Sequence, residues 1–282
     1  MTDTRSDHLV TTDWLAEHLD APDVIILDAS WHLPGTDRSG KAEFDEEHIP
    51  GASFFDIDDL SDETSHLPHM LPSPIKFSSR MRKMGIGDGK RIVVYDSHGL
   101  FSAARAWWMF RVFGHDDVVI LDGGLKKWKA EDRPLEDGPP APAQERHFSA
   151  RQQSIMVRDA DDIRAIIANG KAQIADARSP GRFSGVEKEP RAGLRSGHMP
   201  GAVCVHYATL LNEDGTVKPA EEITTVFADA GVDLSAPVVT TCGSGVTAAI
   251  LTLGLILAGP QDNALYDGSW TEWGGLEAVS YT

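Results

Sequence analysis

The sequence predicts an α/β fold in two tandem copies, each a parallel sheet flanked by helices on both faces. Two observations carry this reading. The first is self-similarity: His48-Ile-Pro-Gly-Ala52 returns as His198-Met-Pro-Gly-Ala202, with 198 − 48 = 150. Leu27-Asp28-Ala29 pairs with Ala175-Asp176-Ala177 (176 − 28 = 148), and Asp122-Gly123 with Trp128 answers to Asp267-Gly268 with Trp273, an offset of 145. Landmarks in one order at a nearly constant offset mark two copies of one supersecondary pattern. The second is the alternation of short β-branched runs with longer helical patterns, the signature of a parallel sheet with helices on its faces.

The elements follow in order. In the first copy, residues 23–27, 91–95 and 117–121 read as strands, and residues 12–19 and 102–113 as helices. In the second, residues 172–175, 236–241 and 264–266 are the matching strands. Residues 246–258 form a helix apolar nearly all round, which calls for burial. Between the copies, Glu136-Asp-Gly-Pro-Pro-Ala-Pro-Ala-Gln144 cannot continue a helix or a ladder at its prolines. The expected domains are therefore 1–145 and 146–282.

The 282 residues include 43 acidic and 26 basic side chains, a net charge of −17. Such a surface argues against nucleic acid and anionic lipid, since both require Lys and Arg against phosphate. An anionic substrate would need a local cationic pocket. The first twenty residues have no apolar core for a secretory signal and several acids, and no stretch approaches the ~20 apolar residues of a membrane span. Cys204 and Cys242 alone make no disulfide framework, so a reducing cytoplasm is the expected compartment. No metal or other cofactor is expected: His66 and His69 lack a recognisable third ligand, and neither dinucleotide nor P-loop spacing occurs.

Cys242 stands where a strand runs into Gly243-Ser-Gly245-Val-Thr247 and then a helix. Successive N–H groups of such a loop converge on one point, and a helix N-terminus adds positive potential there. Sulfur at that point is expected to ionise, to remain reachable from solvent and to act as a nucleophile. Gly243 and Gly245 let the backbone fold round it without an obstructing Cβ. Cys204, in an apolar strand-like run, is assigned a structural role. The equivalent place in the first copy is Asp96, so only the second copy can do thiolate chemistry.

This loop, the paired His-(Ile/Met)-Pro-Gly-Ala turns and the closing Tyr266-Asp-Gly-Ser-Trp-Thr-Glu-Trp273 resemble the tandem rhodanese family, over essentially the whole chain. The resemblance is nearest to members that take sulfur from 3-mercaptopyruvate. It implies that a persulfide forms on Cys242 with release of pyruvate, and that a thiol, cyanide or thioredoxin accepts the sulfur. It also implies that Arg182 and Arg191 bind the substrate, with Gly243, Gly245, Val246 and Thr247 around it, and Arg195 as a weaker candidate. A relay of Ser244, His69 and Asp58 is proposed in that family for proton handling. Neutral Gly243 and Ser244 after the cysteine favour mercaptopyruvate over thiosulfate, whose users carry basic side chains there. A phosphatase or arsenate reductase of similar strand-loop-helix design needs an Arg six residues after the cysteine, where this chain has Ala248. A binding or regulatory module with a dead site is the remaining alternative.

Overall fold

The computed structural model describes residues 4–140, 142–259 and 262–276. Ala141, within the expected linker, lies outside the described residues. The described chain forms two compact units. The first gathers the described residues of Met1–Glu63, Leu71–Gln153 and Asn212–Val217; the second gathers those of Thr64–Met70, Ser154–Leu211 and Lys218–Thr282.

In the first unit, β1 (Leu9–Val10), β2 (Val24–Asp28), β3 (Ser53–Phe54), β4 (Arg91–Tyr95) and β5 (Val118–Leu121) form one parallel sheet in the order β1-β5-β4-β2-β3. In the second, β6 (Val157–Arg158), β7 (Gln173–Asp176), β8 (Ala202–Cys204), β9 (Val238–Thr241) and β10 (Asn263–Tyr266) repeat that order as β6-β10-β9-β7-β8, again parallel throughout. The central strands are buried Val, Ile, Leu and Thr runs, as a sheet covered on both faces requires. The helix Ala248–Ala258 is buried at every position from Ala248 to Leu255, so its lack of amphipathicity reflects a core location.

The repeated sequence landmarks do repeated work. Gly51 and Gly201 both hold φ 76°, the left-handed turn that favours glycine. In each turn the histidine stacks on a phenylalanine and bonds its carbonyl through Nδ1: His48 on Phe44 and His198 on Phe183, at 2.7 and 2.9 Å. Trp128 packs with Phe44, Val93 and Tyr95 in one core, and Trp273 with Met199, Val239 and Tyr266 in the other.

Two short segments cross over. Residues 64–70, from the first half, pack in the second unit, and residues 212–217, from the second half, pack in the first. Their separation, 212 − 64 = 148, is the repeat offset itself, so equivalent loops are exchanged. Residues beyond the prolines are strapped to the first unit. Phe148 is buried against Phe77 and His115, Ser149 bonds Asp88, and the Gln153 N–H donates to the Val112 carbonyl. Among the described residues no helix is long and apolar enough to cross a membrane.

The copies diverge behind their sheets' C-terminal ends. Buried Asp176 is held by Arg178, whose Nε and Nη2 reach both carboxylate oxygens and whose Nη1 reaches Glu189 at 2.8 Å. Burial opposes the charge on Arg178, but the two carboxylates overcome it and raise its pKa. The equivalent Asp28 has Ser30 in place of the arginine, and burial pushes its carboxyl from 3.8 to about 6.

Two outcomes follow. A folded pKa above the unfolded one means that Asp28 contributes stability that is fully present below about pH 4 and is lost as pH rises through about 6. Asp28→Asn should flatten that part of the curve of urea midpoint against pH. Arg178→Ala, which strands the buried Asp176 carboxylate while Glu189 keeps Arg182, should cost about 3–5 kcal/mol in urea unfolding. Breaking the exposed Arg164–Asp161 pair should cost under about 1 kcal/mol.

Candidate active site

Cys242 follows the last residue of β9, and the helix Ala248–Ala258 begins six positions later. Gly245 takes φ 77° at the tightest point of the intervening loop, a value that disfavours any Cβ. The turn after β10 closes over this loop. The Trp270 N–H donates to the Cys242 carbonyl at 3.0 Å, and the Thr271 N–H and hydroxyl both donate to the Gly243 carbonyl, at 2.8 and 2.6 Å. Ser269 Oγ accepts from the Cys242 N–H at 3.3 Å. The expectation of an open sulfur is corrected here: Cys242 is only 2% exposed. Val246 and Thr247 are buried with it.

Ser244 lies two residues beyond the cysteine, and its Oγ is 3.0 Å from His69 Nδ1, both side chains buried. His69 reaches this loop because residues 64–70 belong to the second unit. It holds a left-handed backbone, φ 61°, unusual for a residue with a Cβ and the kind of local strain that collects at functional sites. Asp58 belongs to the first unit, where its Oδ2 accepts from Trp31 Nε1 at 3.0 Å.

Arg182 sits in the short helix Pro180–Phe183, capped by Ser179. Its Nη2 lies 2.8 Å from where a Cβ on Gly243 would stand, so the guanidinium tip lies directly against the glycine and would have to shift for any side chain there. Glu189 fixes its direction, accepting from Nε at 3.3 Å and from Nη2 at 2.5 Å. The same carboxylate takes Nη1 of Arg178, making a row Asp176–Arg178–Glu189–Arg182 that alternates in sign. Arg178 also lies over the Trp270 ring at 4.5 Å. Arg191 is half-buried in the loop after Glu189. Arg195 instead braces the C-terminal turn, its Nε donating to the Gly274 carbonyl and its own carbonyl accepting from Trp270 Nε1.

Sequence reasoning missed Glu189, Arg178 and Ser269. Ser269 stood inside the quoted closing motif, and Arg178 two residues beyond the paired aspartate, but nothing in their spacing tied them to Cys242. Cys204 ends the edge strand β8, half-buried, with its thiol 3.6 Å from the Arg178 carbonyl and pushed up to about 11 by burial and by Asp176.

The first copy shows what such a loop does with a different residue. The fully buried Asp96 carboxylate accepts from three backbone N–H groups: His98 at 2.9 Å, Phe101 at 2.6 Å and Ala103 at 2.8 Å. Convergent amides after the sheet's central strand thus hold an anion, as the loop geometry requires. That loop is one residue longer, with 103 − 96 = 7 positions to its helix against 248 − 242 = 6.

Residues 11–131 and 159–276 each match the rhodanese-like domain. The chain is 45% identical over 273 residues to the 3-mercaptopyruvate sulfurtransferase of Homo sapiens, covering 94% of this chain and 91% of that one. It is 46% identical over 266 residues to the enzyme of the same name from Escherichia coli (strain K12), covering 94% of each. To a thiosulfate sulfurtransferase of Rattus norvegicus it is 43% identical over 274 residues, covering 94% and 91%. A crystal structure of a 3-mercaptopyruvate sulfotransferase from Escherichia coli superposes with a TM-score of 0.86 at 43% identity, covering 93% of this chain and 98% of that one. With both copies matched and these relatives aligned almost end to end, the chain belongs to the rhodanese-like family as a tandem-domain member.

Proposed function

We propose that this chain is a sulfurtransferase that takes sulfur from 3-mercaptopyruvate onto Cys242 and passes it to a thiol or cyanide acceptor, thioredoxin among the candidates. The observation that carries the reading is the cysteine loop itself: a lone sulfur between a strand end and a helix start, with Arg182 against Gly243 and the Ser244–His69 pair beside it. The first unit is then the domain without a catalytic cysteine, and the second the catalytic domain.

In the first half-reaction the Cys242 thiolate attacks the donor's sulfur. An S–S bond forms, the donor's C–S bond breaks, and its electron pair stays on carbon as the enolate of pyruvate. The enolate takes up a proton and leaves; Cys242 retains a persulfide. In the second, an acceptor thiolate or cyanide attacks the outer sulfur and the Cys242 thiolate departs, so the kinetics are ping-pong. Arg182, oriented by Glu189, and Arg191 are assigned to the donor's carboxylate and ketone, which a guanidinium fork recognises. Loop residues Gly243, Gly245, Val246 and Thr247 shape the space around the sulfur. The Ser244 hydroxyl is assigned to the oxygen on which enolate charge develops, with His69 beside it handling the proton; the family resemblance adds Asp58 to that role. A reducing cytoplasm suits an enzyme whose chemistry needs Cys242 as a free thiol.

Thiosulfate is the second reading, favoured by the similarity to the rat thiosulfate sulfurtransferase. The neutral Gly243 and Ser244 after the cysteine argue for mercaptopyruvate, since a dianion would call for cations there.

Cys242→Ser should abolish turnover with either donor, and full activity in that variant would end the proposal. Arg182→Gln, losing one charge-assisted contact, should lower kcat/KM for mercaptopyruvate by about ten- to a hundredfold, read in a pyruvate-release assay. At equal concentrations mercaptopyruvate should turn over faster than thiosulfate; the reverse would assign the donor to the second reading.

A further inference from the structure

We infer that Ser269 is a positioning residue for the Cys242 nucleophile, an inference that rests on the sulfur-transfer reading above. Ser269 is fully buried and holds φ 51°, a left-handed conformation that a residue with a Cβ rarely adopts. The repeat supplies a comparison within the same molecule. At the offset of 145 that joins Asp122-Gly123 to Asp267-Gly268, the equivalent of Ser269 is Gly124, with φ 54°. A side chain at Gly124 would meet the carbonyl oxygens of Asp96 and Gly99 at 2.5 and 2.7 Å. A left-handed position this close to two carbonyls suits glycine, and the copy that carries the thiol has serine there instead.

The two turns otherwise meet their loops in the same way. Leu125 N–H donates to the Asp96 carbonyl at 3.0 Å, just as Trp270 N–H donates to the Cys242 carbonyl. The hydroxyl is what the second copy adds. Ser269 Oγ accepts from the Cys242 N–H at 3.3 Å and donates to the Tyr266 carbonyl at 2.8 Å. The peptide groups on both sides of the Cys242 Cα are thus tied to the turn after β10.

The chemistry explains why one copy uses this tie. The Asp96 side chain is fixed directly, because a carboxylate is a strong acceptor and three amides grip it. Sulfur accepts longer and less directional hydrogen bonds than a carboxylate oxygen, so loop amides that stabilise a thiolate or persulfide define its direction less sharply. Its direction depends also on the backbone that bears it, which the Ser269 hydroxyl ties down.

The test compares the full-length chain with Ser269→Gly and Ser269→Ala in steady-state and single-turnover pyruvate release from 3-mercaptopyruvate. Both variants lose the hydroxyl, but only Ala keeps the left-handed strain. Both should lose kcat by about tenfold or more, the scale at which misplacing a reacting group is felt. KM for the donor should stay within about twofold, and the thermal midpoint of Ser269→Gly should not fall below that of the parent chain. Unchanged kcat in Ser269→Gly, or kcat loss only in parallel with a falling midpoint, would overturn the inference while leaving the functional reading intact. Failure of the parent chain itself to release pyruvate would overturn the reading instead.

Discussion

The backbone tie between the loop after β9 and the turn after β10 is the constraint on which the rest of the site depends. Trp270 and Thr271 hold the carbonyls of Cys242 and Gly243, which fixes the loop that Arg182 and His69 meet. Gly243 has its carbonyl held by Thr271 and, lacking a Cβ, lies against the Arg182 guanidinium. Ser244 meets His69 one residue further on. A loop left to solvent would hold neither contact, since each member is a side chain with rotamer freedom to lose.

Behind the loop, charge is arranged in a row of alternating sign. Buried carboxylates are tolerated only when paired and hydrogen-bonded, and Asp176 and Glu189 are both. The row ends at Arg182, the member with the most exposed side chain, so the deeper pairs serve as the mount for a cation at the loop. An acidic chain thereby keeps one guanidinium aimed at a fixed place. The first copy lacks this mount, having Ser30 where the second has Arg178. It also has a carboxylate in the position of the thiol. Two differences thus separate the copies at the same end of their sheets.

Much of this was legible in the sequence, for stated reasons. The strands at residues 91–95 and 118–121 centre on β-branched runs, Ile92-Val-Val94 and Val118-Val-Ile120, which suit a doubly covered parallel sheet, and the offset of the His-Pro-Gly-Ala turns gave the repeat directly. Cys242 was visible because Gly243 and Gly245 have no place in an apolar core. The exchange of residues 64–70 for 212–217 was hidden, because it depends on packing and on no local pattern. Glu189 was hidden too: an acidic residue in a polar loop reads as solvated until Arg178 and Arg182 are seen to converge on it. The burial of Cys242 was the other miss, since a Gly-rich loop suggests exposure and the backbone bonds of residues 269–271 to that loop are not a local pattern.

The account stands on sulfur residing at one atom in one copy. Intact-mass and peptide mass spectrometry of the chain after brief exposure to 3-mercaptopyruvate, with no acceptor present, measures this directly. One added sulfur per chain, mapped to the peptide holding Cys242 and removed by cyanide, is the result expected. Added sulfur on Cys204, or pyruvate released with Cys242 unmodified throughout, would contradict it.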